Sequence, residues 1–114
     1  MFPSMTNLRT LYCYGNQLTS LNVSGLTNLE LLNCSGNQLT SLDVSELNNL
    51  LELYCALNQL TSLDVSNLTN LDRLHCSTNQ LTSLDLTGNI LGAILGRKSN
   101  TNTNFNSQKR HLQC

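Results

Sequence analysis

The sequence predicts a repeat solenoid, in which the chain winds into stacked coils and each coil contributes one short strand to a parallel sheet. The first observation is that the tetrapeptide Asn-Gln-Leu-Thr occurs four times, 21 residues apart, at Asn16, Asn37, Asn58 and Asn79. The second is that leucines keep the same phase in every unit. One coil cannot bury its apolar side alone, whereas stacked coils bury it continuously, so this fixed period predicts a solenoid.

The composition agrees with a thin, layered core. The 114 residues suit one domain, and aromatic residues make up only 4% of them, so the core must be aliphatic. The longest apolar run, near residues 90–95, is far shorter than the roughly 20 residues that span a bilayer. Charge is unevenly divided: residues 1–89 hold two basic and seven acidic side chains, and residues 90–114 hold four basic side chains and no acid.

Every unit contains the pattern Leu-x-x-Leu-x-Cys-x-x-Asn-x-Leu, as from Leu29 to Leu39. Alternate residues of a strand face opposite sides, so the second Leu and the Cys are predicted to point inward and their neighbours outward. Each unit has seven apolar positions. The first three units fill all seven, whereas the fourth unit fills six and has Asn89 at the seventh. In the first unit these positions hold Leu8, Leu11, Cys13, Leu18, Leu21, Val23 and Leu26.

This motif resembles that of the leucine-rich-repeat family, with a Cys where the family usually has Leu. The resemblance covers residues 5 to about 88, and the Thr-Ser-Leu-Asp-Val-Ser second half of the units is similar to bacterial surface repeats of the internalin-like group. The resemblance implies an α/β-type repeat solenoid wound as a right-handed coil. Short parallel β-strands would line its concave face, and turns or extended segments would form the convex side.

The period divides the chain into four parts. Residues 1–4 precede the repeats, residues 5–88 form an array of about four units, and residues 89–98 suit a short capping helix. Asn89 is the expected N-cap of that helix, and its apolar residues are expected to cover the last coil: Ile90, Leu91, Ile94 and Leu95. Residues 99–114, rich in Asn and basic side chains, are predicted to be a disordered tail.

Two columns of repeated residues are interpreted as structural. An Asn in the turn after each strand can bond backbone groups that the turn leaves unpaired, and stacked copies would form a ladder of Asn16, Asn37, Asn58 and Asn79. An inward column of buried, reduced thiols is expected from Cys13, Cys34, Cys55 and Cys76. Strand spacing permits disulfides in such a column, but parallel side chains pair poorly. Cys114 is expected to be free.

No metal site, cofactor or catalytic site is expected. The acidic column of Asp43, Asp64 and Asp85 could attract a hard cation, but local capping or a solvated column is the favoured interpretation. The sequence lacks a zinc-type CxxC pattern and the common phosphate-binding and metalloprotease motifs. His75 and Cys76 are adjacent, so strand alternation puts them on opposite faces and prevents a nucleophile–base pair.

The residues that vary between units lie beside the inward Leu and Cys, on the face that repeat solenoids use for binding. Tyrosines are frequent in interfaces, and all three fall on this face. The predicted ligand-binding residues are Tyr12, Tyr14, Asn33, Glu52, Tyr54, Leu57, Arg73 and His75. Four strands about 4.8 Å apart make a face less than about 20 Å wide, too small for a standard interface. The sequence therefore predicts weak binding, peptide binding, or a missing remainder of the array.

Two other functions are considered. The N-terminal coil has no visible cap, so Leu8, Leu11 and Leu18 would leave an open edge. The chain would then be a structural fragment of a longer array, or it would self-associate end to end. Hydroxyl ladders beginning at Thr19 and Ser20 and repeated in every unit could order water, as in ice-binding solenoids. However, neighbouring residues would not both face outward on a regular strand.

The expected partner is a protein or a peptide. The four basic residues after Ile90 favour a solvated tail over nucleic-acid binding. The first residues contain no recognisable signal peptide, and the column of buried thiols favours the cytoplasm. The family resemblance also allows a secreted or cell-surface location for a longer parent protein, so the location stays open.

Overall fold

The computed structural model describes residues 5–92 and 111–114 of the chain. Its framework is a five-stranded parallel sheet whose strands follow one another in chain order. The strands are β1 (Thr10–Tyr12), β2 (Leu31–Asn33), β3 (Glu52–Tyr54), β4 (Arg73–His75) and β5 (Leu112–Gln113). The predicted solenoid of short parallel strands is confirmed. The expected N-terminal extension, residues 1–4, lies outside the described residues.

The register of the first four strands follows the sequence period. Leu11 pairs with Leu32, Leu32 with Leu53, and Leu53 with Leu74. The middle leucines of β2, β3 and β4 are fully buried, whereas the residues on either side of them are half-buried. A slip of one residue would turn these leucines to solvent, so the apolar pattern fixes the register.

The side of each coil opposite the sheet is built from turns. The N–H of Leu26 donates to the carbonyl of Val23 at 3.2 Å, and the equivalent bond from Leu47 to Val44 measures 3.0 Å. Asparagine side chains link neighbouring turns, since Asn49 Nδ2 donates to the carbonyl oxygen of Thr27 at 2.9 Å. This agrees with the expected convex side of turns and extended segments.

The core is a stack of aliphatic layers between the sheet and the turns. The second and third units bury all seven of their apolar positions, from Leu29 to Leu68. In the first unit, five of the seven are only half-buried: Leu8, Leu11, Cys13, Leu18 and Leu21. The reason is that the described residues put no coil on the N-terminal side of this unit.

Asn89 differs from its predicted role. Its Nδ2 donates to the carbonyl oxygens of Val65 at 2.9 Å and Leu68 at 2.6 Å, so the side chain bonds the preceding coil. Its Oδ1 is buried without a hydrogen-bond partner among the described residues, so it does not act as an N-cap there. Residues 90–92 are helical, with Leu91 fully buried and Ile90 44% exposed. The rest of the expected capping helix, with Ile94 and Leu95, lies outside the described residues.

The prediction of a disordered tail is wrong for residues 111–114. Leu112 pairs with Leu74 and Gln113 with His75, so β5 extends the sheet beyond β4. The N–H of Leu74 donates to the carbonyl oxygen of His111 at 2.6 Å. The sequence carried a signal for this strand, because Leu112-Gln113-Cys114 repeats the Leu-x-Cys core of the other strands. Residues 99–110 of the predicted tail lie outside the described residues.

Candidate functional site

The outward side of the sheet is called the concave face here. Parallel pairing aligns its residues in rows across the strands. One row runs from Tyr12 through Asn33 and Tyr54 to His75, and another contains Glu52 beside Arg73. The structure thus brings the predicted strand residues together on one surface.

Tyr12 and Tyr14 form an aromatic pair at the β1 end of the concave face. Their ring centroids are 6.2 Å apart and the rings are nearly perpendicular, at 89°. This edge-to-face arrangement is a favoured one for aromatic rings. Tyr12 is 60% and Tyr14 59% exposed, so the pair presents a large amphipathic surface to solvent.

A second cluster lies on β3 and β4. The Tyr54 hydroxyl donates to Glu52 Oε1 at 2.5 Å, and the Tyr54 ring meets the His75 ring edge to face with centroids 4.8 Å apart. Arg73 Nη1 lies 3.7 Å from the same Glu52 oxygen. Burial and the hydrogen bond to Glu52 raise the pKa of Tyr54. Hydrogen bonding with Tyr54 raises the pKa of Arg73, so the phenol stays neutral and the guanidinium charged at neutral pH.

Two nitrogen atoms of this cluster are buried without a hydrogen bond. They are Arg73 Nε and His75 Nε2, for which the described residues supply no partner. A buried polar atom without a partner is unfavourable, so such atoms are uncommon in folded proteins. The cluster therefore retains hydrogen-bonding capacity that the fold itself does not use.

Leu57 occupies a strained position at the end of the β3 coil. Its φ is 57°, in the left-handed region that disfavours side chains with a Cβ. The equivalent residues of the first two coils, Gly15 and Gly36, have φ of 71° and 68°. Leu57 is nevertheless 56% exposed, so burial does not compensate for the strain. Thr78 holds the same position in the next coil with φ of 55°.

An ion pair lies at the start of β1 and β2. Arg9 Nη1 is 3.0 Å from Glu30 Oε2, and their side chains are 72% and 41% exposed. Exposed pairs of this kind contribute little to stability. Their effect on the concave face is to neutralise one charge of each sign.

The ladder asparagines tie each coil to the one before it. Asn58 Nδ2 donates to the carbonyls of Cys55 in its own coil, at 3.2 Å, and of Cys34 in the previous coil, at 3.1 Å. Its Oδ1 accepts the N–H of Leu39 at 3.0 Å. Asn37 and Asn79 make the same set. Among the described residues, Asn16 bonds only within its own coil, to the carbonyl oxygens of Cys13 and Tyr14.

The cysteine column has two chemical states. Cys13, Cys34 and Cys55 are free thiols, and burial raises the pKa of Cys34 to about 12 and that of Cys55 further. Cys76, expected as a reduced thiol, instead forms a disulfide with Cys114, expected to be free. Strand β5 is the reason, because it brings the two Cα atoms to 4.5 Å, within the range of a disulfide.

The acidic column caps turns. Asp43 Oδ1 accepts the N–H of Ser45 at 3.0 Å and its hydroxyl at 2.6 Å. Asp85 and Thr87 repeat this arrangement, and these hydrogen bonds lower the pKa of both carboxyl groups. Within residues 5–92 and 111–114, no group of three or more His, Cys, Asp or Glu side chains could hold a metal ion.

The hydroxyl columns differ from expectation, because Thr19 and Ser20 are both exposed, as are their equivalents in the later coils. The backbone bends at each of these threonines, so neighbouring side chains reach solvent together.

In the part of the chain that the structure describes, no helix is long and apolar enough to cross a membrane.

Comparisons with known proteins agree with this geometry. A family model described as leucine-rich repeats (2 copies) matches residues 6–49. The chain is also similar to a solved structure, described as the functional domain of InlJ from Listeria monocytogenes that includes a cysteine ladder. The two are 38% identical with a TM-score of 0.76, over 80% of this chain and 20% of the other. This chain therefore spans about a fifth of its neighbour's length. No curated protein matches the sequence.

The 21-residue period, the parallel sheet and the asparagine ladder define a repeat solenoid of the leucine-rich type. Residues 6–49 match the leucine-rich-repeat family model, and the repeats of this chain are similar to those of an internalin. The family match and this neighbour support, in general terms, a repeat module for protein interaction.

Proposed function

We propose that the chain binds a protein or peptide partner through its concave face and is not an enzyme. One observation carries the proposal: this face exposes more than half of three large side chains, those of Tyr12, Tyr14 and Leu57. Exposed aromatic and apolar groups collected on one surface favour association. The binding residues are Tyr12, Tyr14, Asn33, Glu52, Tyr54, Leu57, Arg73 and His75.

The strain at Leu57 supports this assignment. The first two coils have glycine at this position, and glycine adopts a positive φ without steric strain. The third coil has leucine there in spite of the conformational strain. Strain of this kind tends to persist where a side chain serves function. Leu57 therefore serves as an apolar contact at the rim of the concave face.

The arrangement of His75 and Cys76 argues against catalysis. His75 lies on the outward side of β4, whereas Cys76 is 2% exposed and carries no free thiol. A nucleophile needs a base within hydrogen-bonding distance, and this pair offers none. The chemistry of the face suits recognition.

Selection of ligands from a phage-displayed library of random peptides tests the proposal. Peptides chosen on the wild-type chain are remeasured on the variants Tyr12→Ala and Tyr54→Ala. We expect at least about tenfold weaker binding to each, since truncating an aromatic anchor commonly costs 1–2 kcal/mol or more. Thr61→Ala, an exposed change in the turns, is the matched control and should leave affinity unchanged. Selected peptides that bind all four proteins equally would contradict the proposal.

The half-buried leucines of the first coil favour a second candidate, end-to-end self-association. Leu8, Leu18 and Leu21 are partly open to solvent at the β1 edge, and unpaired strand edges favour association. Static light scattering across a concentration series tests this candidate. A mass that rises with concentration in the wild type, but not in Leu18→Lys, would support it, and a constant monomer mass would remove it.

A further inference from the structure

We infer that the centre of the concave face is a subsite for an uncharged, extended peptide rich in proline. The inference rests on the proposed function and deepens it by giving the partner a chemical class. The subsite, called the Asn33 bay below, consists of Asn33 on β2 with Tyr12 and Tyr54 on either side. Strand pairing aligns these three residues directly, Tyr12 beside Asn33 and Asn33 beside Tyr54.

The two walls of the bay have a spacing that suits one inserted side chain. Tyr12 and Tyr54 are separated by two strand spacings, about 9.6 Å between Cα atoms. Aromatic contacts form at ring separations of roughly 4.5–7 Å, so side chains that extend straight from these two positions would leave room for one small ring or aliphatic group between them. In this row the shorter side chain of Asn33 stands between the two tyrosines.

Both walls are held by neighbours. Tyr54 is bonded to Glu52 through its hydroxyl and packs against the ring of His75. Tyr12 packs edge to face against Tyr14. Less side-chain freedom remains to be lost on binding, which matters for a face too small to make a large interface.

The floor of the bay offers a hydrogen-bond donor. Asn33 Oδ1 accepts the N–H of Ser35 at 3.1 Å, which fixes the amide. Its Nδ2 has no hydrogen-bond acceptor, in a side chain or in the backbone, within residues 5–92 and 111–114. A primary amide with its oxygen engaged donates to a carbonyl group, and an extended peptide presents carbonyls along its length.

Among the described residues, the charged side chains on either side of the bay are paired. Arg9 pairs with Glu30 on one side, and Arg73 with Glu52 on the other. The cross-strand neighbours Thr10 and Leu31 are uncharged. A charged ligand side chain would therefore lose hydration without gaining an unpaired partner, so the bay favours a neutral ligand.

Proline meets each of these conditions. Its ring is small, apolar and uncharged, and grooves lined by aromatic side chains bind polyproline segments. A polyproline helix is extended before binding, so it loses little conformational entropy. It also keeps its carbonyl groups free of internal hydrogen bonds, available to the Asn33 amide.

The test is an NMR titration of the ¹⁵N-labelled full chain with an acetylated, amidated decaproline peptide. We expect shifts of the Asn33 side-chain amide and of the Tyr12 and Tyr54 backbone signals. A Gly-Ser peptide of equal length, neutral but flexible, should bind at least about fivefold more weakly. Asn33→Asp, which removes the donor, should weaken decaproline binding about fivefold or more. Asn70→Asp, an exposed change that adds the same charge away from the bay, is the matched control.

Three results would overturn the inference: no shift with decaproline, equal shifts with the Gly-Ser peptide, or full binding by Asn33→Asp. The library selection separates this failure from failure of the proposed function. Selected peptides that depend on Tyr12 and Tyr54 but are charged, or are indifferent to Asn33→Asp, would refute the bay and leave the binding face intact. Peptides indifferent to all three residues would refute both.

Discussion

At the scale of single residues, position in the stack decides how much a side chain that recurs in every unit contributes to stability. Asn58 is 8% exposed and bonds two coils, whereas Asn16 is exposed and bonds only its own. The two residues have the same sequence context, Asn-Gln-Leu-Thr. Sequence alone assigns them equal roles, and only the stacking order separates them.

Replacing Asn58 by alanine should destabilise the chain far more than replacing Asn16. Asn58→Ala leaves the buried N–H of Leu39 without its acceptor, and an unsatisfied group of this kind costs roughly 1–3 kcal/mol. It also removes one of the two amide donors of the Cys34 carbonyl, which keeps its hydrogen bond from Asn37. The free energy of unfolding should fall by about 2–4 kcal/mol in Asn58→Ala and by about 1 kcal/mol in Asn16→Ala. Urea denaturation followed by circular dichroism measures both. Equal losses would refute a ladder that acts between coils.

Replacing Leu57 by glycine should raise stability and lower affinity together. The left-handed conformation costs a non-glycine residue about 1–2 kcal/mol. Glycine avoids this cost, but it loses more conformational entropy on folding, which offsets about 0.5–1 kcal/mol of the gain. Leu57→Gly should therefore stabilise the chain by about 0.5–1 kcal/mol while lowering its affinity for the peptides selected from the library. Leu51→Gly, an exposed leucine outside the left-handed region, should destabilise it. A destabilised Leu57→Gly would show that the strain is absent.

At the scale of elements, the turns are capped by side chains that titrate. Hydrogen bonds from Ser45 lower the pKa of Asp43 in the folded chain, so the ionised form is favoured by folding. Its contribution is present above the ordinary aspartate pKa of about 3.9 and is lost as pH falls through the lowered value. The first coil has Asn22 at this place, bonded to Ser24 in the same way.

Asp43→Asn should keep the cap and remove its pH dependence. At pH 7 the variant should melt close to the wild-type temperature, because an amide oxygen accepts the same bonds. Between pH 5 and pH 2 its melting temperature should fall less than that of the wild type, since one group fewer takes up a proton. Thermal melts followed by circular dichroism provide the comparison. Parallel curves for the two proteins would mean that the cap does not favour the carboxylate.

Strand β5 is the element most dependent on one covalent bond. It is two residues long, and the Cys76–Cys114 disulfide closes a loop with a sequence separation of 38. Closing a loop of that length contributes up to about 4 kcal/mol in the chain-entropy model. The disulfide therefore contributes much of the free energy that holds β5 in the sheet.

Reduction of the disulfide should release β5 and leave the other strands paired. The N–H groups of Leu74 and Cys76, which donate to His111 and Gln113, should then exchange with deuterium faster. The N–H of Cys34, which donates to Tyr54, should keep its protection. Cys114→Ser should reproduce the change without reductant. Unchanged exchange at Leu74 in both cases would show that β5 pairs without the disulfide.

At the scale of the whole molecule, the sequence predicted those features of the fold that depend on its 21-residue period. The register, the inward leucines and the outward tyrosines all follow from the recurrence at 21 residues. Strand β5 was missed because residues between Leu91 and His111 interrupt the period, although the Leu-x-Cys motif returns. The disulfide was missed for the same reason, since Cys114 becomes a neighbour of Cys76 only through β5.

The candidate site was predictable in its outline but not in its contacts. Alternation along the strands places Tyr12, Asn33 and Tyr54 on the outward face. It does not reveal that the Tyr54 hydroxyl bonds Glu52, because that depends on side-chain rotamers. Nor does it reveal the backbone strain at Leu57, for which the only sequence signal is glycine at Gly15 and Gly36.

Removal of one complete period should yield a folded, shorter chain. Deleting residues 37–57 joins Gly36 to Asn58 and restores the motif Cys-Ser-Gly-Asn-Gln-Leu-Thr. The ladder bonds of Asn58 would then reach Cys13 and Leu18, as those of Asn37 do now. Cooperative unfolding in urea, with a lower midpoint, is the expected result. Deleting residues 37–56 instead shifts the phase by one residue and should abolish cooperative unfolding.

The short reach of the ladder bonds has a consequence for how such a chain changes over generations. Among the described residues, Asn37, Asn58 and Asn79 each bond their own coil and the one before it, so these bonds do not extend to more distant coils. Duplication or loss of a complete unit therefore changes one junction, and the new junction can form the same set of ladder bonds. Selection can adjust the length of the binding surface by whole coils while the sequence at each junction stays under the same constraint.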